Sequence, residues 1–219
     1  MGYSAGGHLA LLYAYKSAAG HSVNGNPMHP ISLVISEAGP IQFASKTVYN
    51  ENEVEYGYVF ADDNVCAMAG ITMPNTTDLP EVYNEKLAIL AAVSPYCVAQ
   101  DIEDKSTLPY TILAYGNIFD NGIATNNDGL VPIQPARDLD NLLNTNNGEY
   151  LNHSKCSLFE LNGIAHGDFG MIYNDETECF EPGIVHPSNP NIISKFYYFY
   201  GNATTQNKGL KDLILEKLN

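Results

Sequence analysis

The sequence predicts an α/β fold organised on a parallel sheet, and three observations carry that prediction. The chain opens with a G-x-S-x-G pattern, Gly2-Tyr3-Ser4-Ala5-Gly6, that runs into the apolar stretch Leu9-Ala10-Leu11-Leu12-Tyr13-Ala14-Tyr15. Short β-branched runs then alternate with longer helical ones, the pattern of strands joined by helical crossovers. An aspartate and a histidine follow the later strands, where loops leave the C-terminal edge of such a sheet.

In a G-x-S-x-G elbow a strand ends, the chain turns sharply and a helix begins. Gly2 and Gly6 are expected to flank Ser4 because a side chain at either place would crowd the turn. Ser4 is expected in a strained conformation that pushes its hydroxyl outwards. The helix N-terminus then faces whatever sits on Ser4, and the backbone N–H of Ala5 is placed to bind an oxyanion. A glycine-rich helix start with a serine cap would share the pattern. The unbroken apolar run after Gly6 favours the elbow, which has a buried helix behind it. An elbow is also preceded by a strand, and Met1 leaves no room for one. The expectation is therefore the C-terminal part of a longer protein, or a start at an internal methionine, so the lack of a visible signal peptide carries little weight.

Residues 6–19 read as a helix ended by Gly20, and 21–30 as a polar loop. Residues 31–36 form an apolar run that reads as a buried strand, ending at the turn Glu37-Ala38-Gly39-Pro40. Residues 41–84 are rich in Tyr, Asn, Asp, Glu and Gly with weak periodicity. They read as an insertion over the sheet edge, partly helical, serving either as a substrate-facing cap or as a packing excursion. Within it, the aromatic stretch 49–60 hints at a sugar- or aryl-facing surface. Residues 82–93 read as a helix leading into Ser94-Pro95. Residues 110–116 read as a strand with Pro109 at its entrance, and 132–144 as an amphipathic helix with Pro132 in its first turn. Residues 156–161 read as a third strand, and 191–200 and 207–218 as helices. No repeat or second domain is visible, so one α/β domain over residues 1–219 is expected, with a cap or insertion around 41–84. Three strands are few for a doubly wound sheet, which again points upstream.

Composition bounds the partners. With 45% apolar and 16% charged residues the chain is globular, and 219 residues suffice for one sizeable core. A formal charge of −15 with no basic patch argues against nucleic acid or an anionic membrane as partner. No apolar run reaches membrane-spanning length. Cys66, Cys97, Cys156 and Cys179 form no C-x-x-C pair, which leaves disulfides or buried thiols and gives no sign of a zinc ribbon. Three N-x-[ST] sequons begin at Asn75, Asn152 and Asn202 and matter only in a eukaryotic secretory pathway. The compartment stays unassigned.

A serine nucleophile needs a base, and the base needs an acid to orient it. After the strand 110–116 comes a loop with two candidate acids, Asp120 and Asp128. Asp128 is favoured because Asp128-Gly129-Leu130-Val131-Pro132 sets it a short fixed distance before the next helix, with an apolar pair to anchor the loop. An Asx-turn or helix-start acid would look the same. After the strand 156–161 comes Asn162-Gly163-Ile164-Ala165-His166-Gly167. A histidine on a glycine loop at a strand end is poorly explained as core packing and well placed to take a proton from Ser4. His21, His29, His153 and His186 read as surface residues, and His8 as a structural hydrogen-bonding residue beside the elbow.

On these residues the chain resembles the α/β-hydrolase superfamily from the elbow to its C-terminus. Gly2-Tyr3-Ser4-Ala5-Gly6-Gly7-His8-Leu9-Ala10 is most similar to the esterase/lipase branch, which includes acetyl-xylan and feruloyl-type carbohydrate esterases, carboxylesterases and kynurenine formamidases. Ser94-Pro95, Gly116, the segment from Asp128 to Pro132 and the His166 loop fit the same branch. The resemblance implies a Ser4 nucleophile, an Asp128 acid and a His166 base acting on carboxylic esters through an acyl-enzyme. It implies a small-molecule or carbohydrate ester as partner and no cofactor or metal. It also implies that the loop giving the second oxyanion donor lies in a half not contained in this chain. The rival expectations are a prolyl-oligopeptidase-type peptidase, which shares fold and triad order, and a hydrolase-like module without activity.

Overall fold

Tyr110–Asn117 is a run of eight residues with no charge, and only its first residue is more than sparingly exposed. Such a run fits a strand covered on both faces, at the centre of a parallel sheet. In the computed structural model it occupies that place. The structure describes residues 1–50, 53–120, 122–146, 149–150, 154–162, 165–166, 171–174 and 179–182. The principal sheet has strands β1 (Gly2–Tyr3), β2 (Leu33–Glu37), β3 (Tyr110–Asn117) and β4 (Cys156–Asn162), in that spatial order and all parallel. Ile112 is the register point, opposite Ile35 on one side and Ser157 on the other.

Helix α1 (Ala5–Ala18) joins β1 to β2, and α5 (Gln134–Asn144) joins β3 to β4; α2 (Asp63–Met68), α3 (Pro80–Ala92) and α4 (Pro95–Asp101) lie between β2 and β3. Sequential strand order with right-handed crossovers sends successive helices to one face. Accordingly Leu11 and Tyr15 of α1, Val98 of α4 and Leu139 of α5 share one apolar cluster with Val34, Leu113 and Tyr115 of the sheet. The alternate residues Ile35, Ile112 and Ala114 pack on the other face with Leu161, Tyr3 and Phe159. The period of two along β2 and β3 is thus read out as two separate clusters.

The segment expected as a partly helical insertion contains α2 and the start of α3, and also strands that were not foreseen. Its centre is an antiparallel hairpin, Ala44–Asn50 against Glu53–Tyr58, followed by the short α2. Hairpin, α2, α3 and the start of α4 enclose a third cluster that includes Phe43, Val65, Leu87, Leu90 and Cys97. Ser94, fully buried, ties these pieces together: its hydroxyl donates to Leu90 O at 2.7 Å and accepts from Phe43 N–H at 2.9 Å. The expectation of no strand before the elbow is corrected by β1, two residues long. A further hairpin, Met171–Asn174 with Cys179–Pro182, was not foreseen, and the expected helices at 191–200 and 207–218 lie outside the described residues. Cys66, Cys97 and Cys156 are free and buried, and burial pushes all three thiols up, Cys97 to about 11. No helix among the described residues is long and apolar enough to cross a membrane.

One polar contact fixes α1 to the sheet centre. Tyr15 Oη and Thr111 Oγ1, both fully buried, lie 2.9 Å apart, and Thr111 Oγ1 in turn donates to Pro109 O at 3.3 Å. Removing one buried partner strands the other, whereas removing both is nearly neutral. Tyr15→Phe is expected to cost about 1–2 kcal/mol in urea unfolding, and the double variant Tyr15→Phe, Thr111→Val to recover most of that loss. Additive losses in the double variant would refute the coupling.

Candidate active site

Ser4 stands between β1 and α1 with φ 51° and ψ −125°, a region that non-glycine residues enter only under constraint. The constraint is visible. Ser4 N–H donates to Glu37 O at 2.8 Å, beyond the last pairing of β1 with β2, and Ser4 O accepts from His8 N–H at 3.1 Å as α1 begins. A Cβ on Gly2 would lie 2.1 Å from Gly6 O. The need expected at Gly6 falls elsewhere, because a Cβ there would meet open space. The second tight position is Gly7, where a Cβ would come within 2.7 Å of Ser36 Oγ and 3.2 Å of Gly39 Cα. Gly7 is tight because α1 crosses directly over the end of β2.

Asp128 is 1% exposed and its carboxylate is fully engaged. Oδ1 accepts from Leu130 N–H at 3.0 Å and Val131 N–H at 2.7 Å, and Oδ2 accepts from His166 Nδ1–H at 2.8 Å. The Asx-turn geometry and the contact with histidine therefore coexist in one side chain. The loop around it is pinned from several sides. Asn117 Oδ1, at the end of β3, accepts from Asn126 N–H at 2.9 Å, and Ile118 N–H donates to Asn127 O at 2.9 Å. Arg137 on α5 donates to Asn126 Oδ1 and forms a two-pronged pair with Glu160 of β4 at 2.6 and 2.8 Å. Asp120, the other candidate, sits exposed in the small hairpin of Phe119–Asp120 with Ile123–Ala124.

His166 is 9% exposed, and its Nε2 lies 3.0 Å from Ser4 Oγ. With Nδ1–H committed to Asp128, Nε2 is the unprotonated nitrogen and accepts from the Ser4 hydroxyl. Ser4, His166 and Asp128, expected together from their order in the chain, form a continuous line of two hydrogen bonds. The first N–H groups of α1, Ala5 first among them, have no acceptor within the helix, and Ser4 is the residue at that helix end.

Of the other histidines, His8 is 5% exposed, donates from Nδ1–H to Pro40 O at 3.0 Å and packs its ring against Phe43. His21 and His29 are exposed, and His153 and His186 lie outside the described residues. Sequence reasoning passed over Tyr3, whose hydroxyl donates to His166 O at 2.6 Å, and Glu37, a buried acid at the end of β2. Among the described residues no group of three or more potential metal ligands gathers. The hairpin and α3 border a groove of about 550 Å³ lined by Tyr49, Tyr56 and four glutamates, and none of Ser4, Asp128 or His166 lines it.

No family model matches the chain, and no curated protein matches it by sequence. Similar solved structures include the thermophilic esterase Est2 of Thermogutta terrifontis with butyrate bound, at TM-score 0.45 and 18% identity, covering 81% of this chain and 49% of that one. The native form of Est2 gives TM-score 0.42 and 20% identity over 81% and 48%. The bifunctional GH43-CE protein of Bacteroides eggerthii gives TM-score 0.41 and 18% identity over 81% and 21%. The chain spans about half the length of Est2.

Two measurements check the site's construction. Gly2→Ala is expected to lower the Tm sharply because the new carbon strikes backbone, while Gly6→Ala is expected to be neutral or stabilising by up to about 1 kcal/mol. Equal losses would contradict the assigned crowding. Burial holds the His8 pKa below its ordinary value of 6.5, against the pull of Pro40 O. The unfolded chain then binds a proton that the folded chain resists, so this part of the stability is lost as pH falls below about 6.5. His8→Asn, which keeps an N–H for Pro40 O, is expected to show a shallower fall of Tm between pH 7 and pH 5 than the parent.

Proposed function

We propose that the chain is the C-terminal part of an α/β-hydrolase domain and cleaves carboxylic esters by a serine mechanism. The observation that supports this most directly is the line Asp128 Oδ2, His166 Nδ1 and Nε2, Ser4 Oγ, with spacings of 2.8 and 3.0 Å, ending on a serine at φ 51°. A structural histidine has no need of a strained serine, and strain of this kind costs about 1–3 kcal/mol. The preference for esters comes from the likeness of residues 2–10 to the esterase/lipase branch.

In this reading Ser4 Oγ attacks the ester carbonyl carbon while His166 Nε2 takes its proton. The carbonyl oxygen becomes an oxyanion and rests on Ala5 N–H at the positive end of α1. Asp128 keeps the proton on Nδ1 and stabilises the imidazolium, without itself accepting the proton. The intermediate collapses, the C–O bond breaks, and His166 gives its proton to the leaving alcohol. Water, deprotonated by His166, then attacks the acyl-enzyme and releases the acid. The substrate class is a small ester, with acetylated or feruloylated sugars included, and the chemistry calls for no cofactor or metal.

Intact-mass detection of a fluorophosphonate adduct tests the reading. One adduct is expected on the folded chain and none on Ser4→Ala. Hydrolysis of 4-nitrophenyl acetate is expected to fall by about 10⁴-fold in Asp128→Asn, which presents the wrong hydrogen-bonding partner to Nδ1. An absent adduct on folded protein would mean that Ser4 is not activated in this chain. Faster cleavage of a prolyl peptide amide than of acetylated sugars would move the assignment to the peptidases.

A further inference from the structure

We propose that Tyr3 is a positioning residue for the base: through its hydroxyl, the strand that carries the nucleophile also fixes the backbone of His166. The inference rests on the hydrolase reading of Ser4, His166 and Asp128 and extends it to a residue outside that trio. Tyr3 precedes Ser4 in the chain and pairs with Glu37 at the edge of the principal sheet, with β2 and β3 between it and β4. Its side chain nevertheless reaches the segment after β4. The hydroxyl donates to His166 O at 2.6 Å, and the phenol and imidazole rings lie 5.2 Å apart, tilted by 38°.

The phenol can do this because its own position is fixed. It packs against the buried cluster of Ile35, Ala38, Ile112, Ala114 and Leu161 on the sheet face. Among the described residues His166 is then held at three points besides Ser4. Its N–H donates to Asp128 O at 2.7 Å, its Nδ1–H to Asp128 Oδ2 at 2.8 Å, and its carbonyl accepts from Tyr3. Two of these tie it to the acid loop, and only the third ties it to the elbow. Without the Tyr3 hydroxyl, the His166 backbone loses its tie to β1 and the imidazole can tilt about its contacts with the pinned Asp128, lengthening the contact of Nε2 with Oγ while keeping the one with Asp128. A displacement of about 1 Å in such a geometry costs on the order of 10²-fold in rate.

Tyr3→Phe isolates the hydroxyl, since it keeps the ring and its packing. Three readings are taken on the full chain below the lowest Tm: the inactivation rate constant and the binding constant of a fluorophosphonate, and the His166 Nδ1–H proton signal in ¹⁵N-histidine NMR. The expected result is a rate constant lower by about 10- to 100-fold, a binding constant unchanged, and an Nδ1–H signal that persists but broadens and shifts. Tyr3→Leu, which also removes the ring, is expected to lose more of the rate. A rate constant and proton signal equal to the parent's in Tyr3→Phe would overturn the proposal, even if that variant melts earlier. The NMR signal needs no turnover. If the parent fails to react with the probe while the Nδ1–H signal still responds to Tyr3→Phe, the hydrolase reading falls and the positioning role stands.

Discussion

The hydrogen bond from Ser4 N–H to Glu37 O is the contact on which the site depends. It carries the pairing of β1 and β2 one residue past the end of the strand, into the turn itself. With the amide tied there and the carbonyl already accepting from His8 N–H, the peptide planes on both sides of Ser4 are fixed. The positive φ is then the one way to connect a strand to a helix that must cross the end of β2. Gly2, Gly7 and Gly39 are the space in which that crossing occurs: Gly7 and Gly39 face one another across Ser36 Oγ, and a Cβ on Gly39 would lie 2.5 Å from His8 N. The strain at Ser4 is therefore held by close backbone packing rather than by its side chain, which stays available.

The acid is held by a different device. Asp128 accepts two backbone N–H groups on one oxygen and presents the other to His166. Those amides belong to Leu130 and Val131, and Val131 is itself seated in the main apolar cluster. Core packing thus aims the carboxylate through a turn only four residues long, Asp128 to Val131. The polar frame around it, from Asn117 through Asn126 to Arg137 and Glu160, joins the ends of β3 and β4 through the first turns of α5. Two strand ends and a helix start converge on one loop, and that convergence follows from parallel strands leaving the sheet at the same edge.

Much of this was legible in the chain. The three strands of residues 31–36, 110–116 and 156–161 were found within two residues because buried parallel strands read as plain apolar runs. Ser4, Asp128 and His166, which the structure brings within hydrogen-bond distance of one another, were singled out because glycines mark two of them and a short fixed distance before the next helix marks the third. What was missed has physical reasons. The hairpin of Ala44–Asn50 and Glu53–Tyr58 carries most of its side chains in solvent, so tyrosines and acids occupy places where a half-buried strand would show Val or Ile. A period of two was present in Glu53-Val54-Glu55-Tyr56-Gly57-Tyr58, but with its apolar members partly exposed it gave no contrast. Gly6 was assigned a crowding that belongs to Gly7, because the pattern names positions but not the element that passes overhead. Tyr3 was invisible for a simpler reason: its partner is a backbone carbonyl 163 positions away, and no residue type advertises that.

That separation bears on when the site can assemble. Ser4 is made before the histidine it touches, which follows 162 positions later. Elbow and helix can form early, since their contacts are local, but an isolated serine hydroxyl at the head of a helix is an ordinary alcohol. It gains a proton acceptor only after β3 and β4 have been laid down in order and the sheet has closed around contacts of long sequence separation, which form late. A growing or partly folded molecule therefore carries Ser4 without its histidine, and their pairing coincides with completion of the sheet.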